Sequence, residues 1–189
     1  TIAVALVGIL LGIVVAVEMF PAGPVDPNPR LESATVFFGK SRALPPFTLR
    51  DHNDQAFDNS SLNNQWSLLF FGFTHCPDVC PTTLQAVRAM AKNLRDDADV
   101  APPKILFVSI DPERDNAAHL KSYVMYFDKS FTGITGELSS LEDFAKSVGA
   151  VFRIEEHAAG TKDYNVDHST HMVLVDPKRV ELSVYQGVP

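Results

Sequence analysis

Basic residues are the scarcer charge in this chain: 16 Lys and Arg stand against 23 Asp and Glu, for a net charge of −7. That balance leaves no basic stripe for a nucleic acid and no basic patch for anionic lipid, so nucleic acid is not expected as a partner. Cysteine is scarcer still. There are two, Cys76 and Cys80, and neither follows the apolar N-terminal run, which argues against a lipid-modified N-terminus. A clean small-x-small cleavage signal is missing there too. Val14-Val15-Ala16 is a marginal candidate, and the run is expected to persist as an uncleaved anchor rather than as a signal sequence. No internal repeat is visible.

That run, Thr1 to Val17 (TIAVALVGILLGIVVAV), carries no charge. At about 1.5 Å per residue it makes a helix roughly 25 Å long. Met19 and Phe20 bring it close to the bilayer core thickness of about 30 Å. Its apolar residues run all round rather than along one stripe, unlike a surface helix of a globular domain. A membrane-spanning anchor is therefore expected over residues 1–20. Pro21 to Pro29 (PAGPVDPNP) holds four prolines and no hydrophobic periodicity, which predicts a semi-rigid extended linker over 21–30. The soluble domain is expected over 31–189. With 46% of the chain hydrophobic, it has enough apolar mass for one full core.

Within the domain, short apolar runs alternate with helical patterns. Trp66 to Phe73 is aromatic-rich and unbroken by charge, as suits a strand buried on both faces. Pro77 and Pro81 follow, each disfavouring helical geometry at the residue before it. A helix is thus expected from about Pro81, with Cys80 near its N-cap and Cys76 one tight turn earlier. Leu84, Val87, Met90, Ala91 and Leu94 then share one helical face. Further strands are expected over Leu44–Leu49, Ala56–Phe57, Lys104–Ile110, Phe131–Thr135 and Val151–Ile154. Further helices are expected over Asn116–Phe127 and over Ser139–Val148, the latter ended by Gly149. Glu155 to Thr170 reads as polar and irregular. Met172–Val175 and Val180–Tyr185 read as a closing hairpin. Alternating strands and helices predict an α/β fold with a central sheet flanked on both sides, and the hairpin makes that sheet mixed.

A cysteine pair that ends a central strand and opens a helix sits where open α/β sheets place their chemistry, and it resembles the thioredoxin superfamily arrangement. Three residues separate these cysteines, against two in the redox thioredoxins. Residues four apart on a helical turn lie about 6 Å from each other, within disulfide range, so spacing leaves both redox and metal chemistry open. The helix N-terminus is expected to lower the Cys80 pKa. Of the six histidines, His52, His119 and His157 read as solvated. His168 ends the polar segment, just before a strand expected beside the one that delivers the cysteines. Two thiolates and that imidazole would suit a soft ion, copper(I) best; a plain loop histidine is the equal alternative. Peroxide chemistry would need a cysteine activated in a threonine- or arginine-bearing pocket, for which Arg88 is a weak candidate.

The segments FGFTHCPDVCP (71–81), VSIDPERD (108–115), ITGEL (134–138) and YNVDHSTHMVLVDP (164–177) together resemble the Sco/SenC family of copper-binding assembly factors for cytochrome c oxidase. They span nearly the whole soluble domain in the family's order. The resemblance implies a thioredoxin-like fold and copper, as Cu(I) or Cu(II), held by Cys76, Cys80 and His168. His171 is not at the motif's ligand position. It further implies a single-pass protein of a bacterial inner membrane, with its domain in the periplasm. The implied task is assembly of the CuA centre on oxidase subunit II, with other copper chaperones as further partners. Two routes are implied: delivery of copper, or thiol–disulfide exchange through Cys76 and Cys80 that keeps the CuA cysteines reduced. A sensor of copper and redox state would use the same ligands.

Overall fold

The computed structural model describes residues 34–36, 43–97, 99–170, 172–177 and 181–185, with 34–36 and 181–185 as backbone strands only. The anchor expected at 1–20 and the linker at 21–30 lie outside the described residues. Among the described residues no helix is long and apolar enough to cross a membrane.

The strand after Trp66 is fully buried along its length, Ser67–Gly72, as its unbroken apolar run predicts. With β1 at Ala34–Val36, β2 at Thr48–Asp51 and β3 at Ala56–Asp58, it is β4. It pairs in parallel with β5 (Lys104–Ser109), Leu68 beside Ile105 and Phe70 beside Phe107. Because side chains alternate across a strand, this register sorts the core into two layers. Leu68, Phe70, Ile105 and Phe107 face the helices α1 (Val79–Asp96) and α2 (Ala117–Phe127), meeting Leu84, Val87, Leu120 and Val124. Leu69, Phe71, Leu106 and Val108 face the other way, onto Leu141 and Phe144 of α3 (Leu138–Ser147) and Leu49 of β2. The central sheet is flanked on both sides.

The remaining strands are β6 (Thr132–Thr135), β7 (Phe152–Ile154), β8 (Val166–His168), β9 (Met172–Val175) and β10 (Glu181–Tyr185). The main sheet has eight strands in the order β1-β10-β9-β4-β5-β6-β2-β3, and β7 pairs with β8 apart from it. β4, β5 and β6 run parallel while the other pairings are antiparallel, so the sheet is mixed.

Several elements depart from the sequence reading. The helix after the cysteines starts at Val79, not Pro81, because proline costs a helix no hydrogen bond anywhere in its first turn. β2 starts at Thr48, after Pro45 and Pro46 rather than through them. β1, paired with β10, was not foreseen, nor was the 3-10 turn Asn59–Leu62 capped by Asp58. The segment 155–170 is not irregular throughout, since β8 lies within it and pairs with β7.

His52 and His157, both read as solvated, are tied into the fold. The Gly133 N–H donates to His52 Nδ1 (3.0 Å) while the His52 N–H donates to the Gly133 carbonyl (2.9 Å), which requires a ring unprotonated at Nδ1. Burial, opposed by Asp51, holds the His52 pKa below its ordinary value. His157 stacks on Tyr164 and faces the Glu113 carboxylate at 3.0 Å, which raises its pKa. The two therefore act on stability in opposite senses. The contribution of His52 is present above about pH 6.5 and lost as pH falls through its folded pKa. That of His157 is full below about pH 6.5 and lost as pH rises through its folded pKa. An NMR titration of the imidazole carbons is expected to rank His52 below 6.5 and His157 above it; the reverse order would show that these contacts do not form in solution.

Candidate metal centre

β4 ends at Gly72, and the chain then turns through Thr74–Asp78 into α1. Two hydrogen bonds set this turn: Cys76 N–H to the Phe73 carbonyl (3.2 Å) and Cys80 N–H to Cys76 Sγ (3.4 Å). Cys80, second in the helix, is fully buried, whereas Cys76 is half-exposed; both are free thiols. The Cys80 pocket exists because residue 72 has no side chain. A Cβ there would lie 2.7 Å from Cys80 Sγ and 2.9 Å from the Phe107 ring.

His168 comes from the end of β8, where it pairs with Phe152. Its Nδ1 lies 3.0 Å from the Ser169 carbonyl, which can only accept, so in the neutral ring Nδ1 carries the proton. Nε2 is left as a lone pair, 3.9 Å from Cys80 Sγ. A second hydrogen bond that fixes the tautomer in this way is the usual mark of a histidine ready to bind metal. The His168 and Phe73 rings pack at right angles to each other, with centroids 6.0 Å apart.

One donor atom from each of Cys76, Cys80 and His168 falls within 4.8 Å of the others. An ion about 2.1–2.3 Å from three donors in a trigonal plane holds those donors roughly 3.6–4.0 Å apart. The side chains fit that requirement with shifts below an ångström. Two sulfurs and one imidazole nitrogen form a soft donor set, suited to copper(I).

The Cys80 thiol does not behave as its helix position suggests. Burial drives its pKa well up, opposed by a hydrogen bond to Phe73 and reinforced by the neighbouring Cys76 sulfur. The expectation of a lowered pKa is therefore corrected: desolvation of a fully buried thiolate outweighs the helix terminus. Cys80 is a neutral thiol in the metal-free protein, and an ion that binds there must displace its proton.

The turn and the His168 segment are held by one loop after β5. Asp115 is fully buried and accepts from the Thr74 N–H (2.9 Å), the Thr74 hydroxyl and the Ser109 hydroxyl (2.6 Å), pinning the start of the cysteine turn. Asp111, also buried, accepts from Arg114 Nε and from the Tyr164 hydroxyl (2.6 Å). Arg114 Nη1 donates to the Lys162 and Tyr164 carbonyls (3.1 Å each), and its guanidinium lies 3.7 Å over the Tyr164 ring. The loop thus braces both ligand-bearing segments. Arg88, the arginine considered for peroxide chemistry, is exposed on α1 outside this network. His171 lies outside the described residues.

The SCO1/SenC family profile matches residues 38–187. This chain belongs to the SCO1/SenC family. It is 36% identical over 133 residues to the mitochondrial protein SCO2 of Saccharomyces cerevisiae, which is 70% of this chain and 44% of that protein. It therefore spans less than half of that relative. Among solved structures it is similar to Arabidopsis thaliana ScoI with copper bound, at 30% identity and a TM-score of 0.71, covering 78% of this chain and 90% of that one. It is also similar to BsSco, described as having a disulfide switch and as a member of the Sco family of cytochrome c oxidase assembly proteins. That match has 26% identity and a TM-score of 0.61, over 82% of this chain and 88% of that one. The central sheet and its flanking helices are those of the Sco structures, a thioredoxin-like arrangement.

Two functional features of this Sco-family chain escaped the sequence reading. The bracing residues Asp111, Arg114 and Asp115 stand in a stretch whose four charges within five residues suggest a solvated turn. The available signal was its position: a charged run directly after a central buried strand lies at the carboxyl edge of the sheet, beside the cysteines. His119, read as solvated, is exposed, yet its Nε2 reaches the Thr74 hydroxyl (2.9 Å).

Proposed function

We propose that the protein is a copper metallochaperone for assembly of the CuA centre of cytochrome c oxidase, carrying its ion on Cys76, Cys80 and His168. The observation that carries this reading is the convergence of two sulfurs and an imidazole nitrogen, from separate segments, within trigonal reach of one ion. Copper here is cargo. Cys80 and the oriented His168 hold it, and half-exposed Cys76 leaves a side from which an acceptor's thiolate can approach. The copper-bound ScoI relative supports the choice of metal.

The reduced chain is expected to bind one Cu(I), and Cys76→Ser or Cys80→Ser is expected to abolish tight binding, since each removes a soft donor. Unchanged affinity in Cys76→Ser would sink the ligand assignment. His168→Ala should disturb the copper spectrum and His171→Ala should not.

A second reading, reduction of the CuA cysteines of oxidase subunit II, is favoured by the unequal exposure of the thiols. Only Cys76 is open to a partner's disulfide. Its thiolate attacks one partner sulfur and releases the other as a thiolate. Cys80 gives its proton to the partner thiolate just released and attacks Cys76 Sγ, freeing the second partner sulfur as a thiolate. Two electrons pass to the partner and a Cys76–Cys80 disulfide remains. That disulfide has no thiolate to offer copper, so oxidation switches metal binding off. Mixing the copper-loaded and metal-free dithiol forms with acceptor in each redox state separates delivery from reduction.

The domain would stand in the periplasm, held to a bacterial inner membrane by residues 1–20 through the linker at 21–30. The uncharged apolar run and the proline-rich stretch support this arrangement. A periplasm-specific reporter fused after Pro189 is expected to be active in the membrane fraction; cytosolic recovery would refute it.

A further inference from the structure

Beside the cysteine turn, on its exposed side, stands a second group of metal-ligating side chains that the copper centre does not use. His75, Asp115 and His119 each offer a donor atom, and these atoms lie within 4.8 Å of one another. His75 comes from the turn itself and His119 from the first turn of α2. Their rings lie 5.8 Å apart by centroid, and both are exposed while Asp115 is fully buried.

The state of Asp115 makes this more than a surface pairing of histidines. Buried carboxylates are normally matched by a cation or a metal ion. Among the described residues no Lys or Arg pairs with Asp115; its ion-pair partner is His75, with Nδ1 3.8 Å from Oδ1. Oδ2 accepts two hydrogen bonds, from the Thr74 N–H and the Ser109 hydroxyl, whereas Oδ1 accepts one, from the Thr74 hydroxyl. A carboxylate oxygen has two lone pairs, so Oδ1 keeps one on the side of His75. The Thr74 hydroxyl sits at the junction, with His119 Nε2 at 2.9 Å and His75 Nδ1 at 3.1 Å. Its single proton goes to Asp115, so both imidazole nitrogens are placed to donate to its oxygen. An ion entering here takes the place of those two imidazole protons.

We infer a second metal site, formed by His75, His119 and Asp115, that takes a borderline divalent ion, with Cu(II) bound most tightly. Two imidazole nitrogens and one carboxylate oxygen suit Cu(II) and Zn(II) rather than Cu(I), and among divalent first-row ions affinity peaks at copper. The chain then carries two neighbouring sites of opposite preference, one soft and thiolate-based, the other nitrogen- and oxygen-based. They share the turn at adjacent residues, His75 and Cys76.

The test uses the full, tag-free chain with the first site deleted by Cys76→Ser, Cys80→Ser and His168→Ala together, and Cu(II) alone as the probe. One Cu(II) per chain is expected, with an electron paramagnetic resonance signal split by imidazole nitrogen. Adding His119→Ala, an exposed position, is expected to weaken binding at least about 100-fold, the upper end of what even outer-shell changes cost a metal site. A folded deleted-site protein that binds no stoichiometric Cu(II), or one whose affinity His119→Ala leaves unchanged, overturns the proposal. Should the triple substitution prevent folding, the decision passes to otherwise unaltered chains. There, His119→Ala is expected to bind one Cu(II) fewer than its parent, and equal stoichiometry overturns the proposal.

Discussion

Arg114→Ala is expected to be the most damaging single substitution outside the proposed copper ligands. It leaves the Asp111 carboxylate, fully buried, without its cation. Breaking a buried ion pair in this way costs about 3–5 kcal/mol, or roughly 6–20 °C of melting temperature for a domain this size. The same change removes the donors to the Lys162 and Tyr164 carbonyls and the guanidinium stacked on Tyr164, all on the segment that leads to His168. Copper affinity should therefore fall although no ligand has changed. Arg114→Lys should rescue little, because one ammonium cannot reproduce a fork that serves a carboxylate and two carbonyls at once. A melting temperature within about 2 °C of the parent would mean the brace contributes almost nothing.

Gly72→Ala is expected to do its damage at Cys80. The added methyl would stand 2.7 Å from the Cys80 sulfur and 2.9 Å from Phe107, closer than packed atoms tolerate. Overpacking of this kind costs about 1–3 kcal/mol. The sulfur is the more displaceable neighbour, since Phe107 is locked in the central strand. In the folded, metal-free variant the Cys80 thiol should become open to alkylation, and copper affinity should drop together with it. Mass spectrometry after brief labelling reads the first effect directly. A Cys80 as protected as in the parent would show that the strand gives way instead.

What could be read ahead of the structure was whatever a local pattern encodes. The strand at 66–73 announces itself by an unbroken apolar run, and α1 by the spacing of Leu84, Val87 and Ala91, all three of which are buried. The donor set could be named because its motifs recur in a family, and the geometry does bring Cys76, Cys80 and His168 together. What stayed hidden depends on partners far along the chain. Asp115 is buried partly through Thr74, 41 residues earlier, a contact that its place at the carboxyl edge of the sheet does not by itself reveal. The Cys80 pKa is a case of competing local and tertiary effects. The helix terminus is visible in sequence, but the depth of burial that outweighs it is not. His157 looked solvated because a polar loop surrounds it, whereas its stacking partner Tyr164 becomes a neighbour only once β7 and β8 pair.

His168 follows Cys80 by 88 positions, and that separation also sets a timetable. Chains emerge from synthesis at about 5–20 residues per second, so the thiol pair exists for roughly 4–18 s before its imidazole has been made. β9, which lies against β4 in the finished sheet, comes later still. A nascent chain can offer a metal two sulfurs and nothing more, a set that many soft ions would accept. The three-donor arrangement becomes available only after β8 and β9 have docked. Discrimination between ions is thus a property of the completed protein, and any ion caught earlier must be given up or rebound as the last strands close.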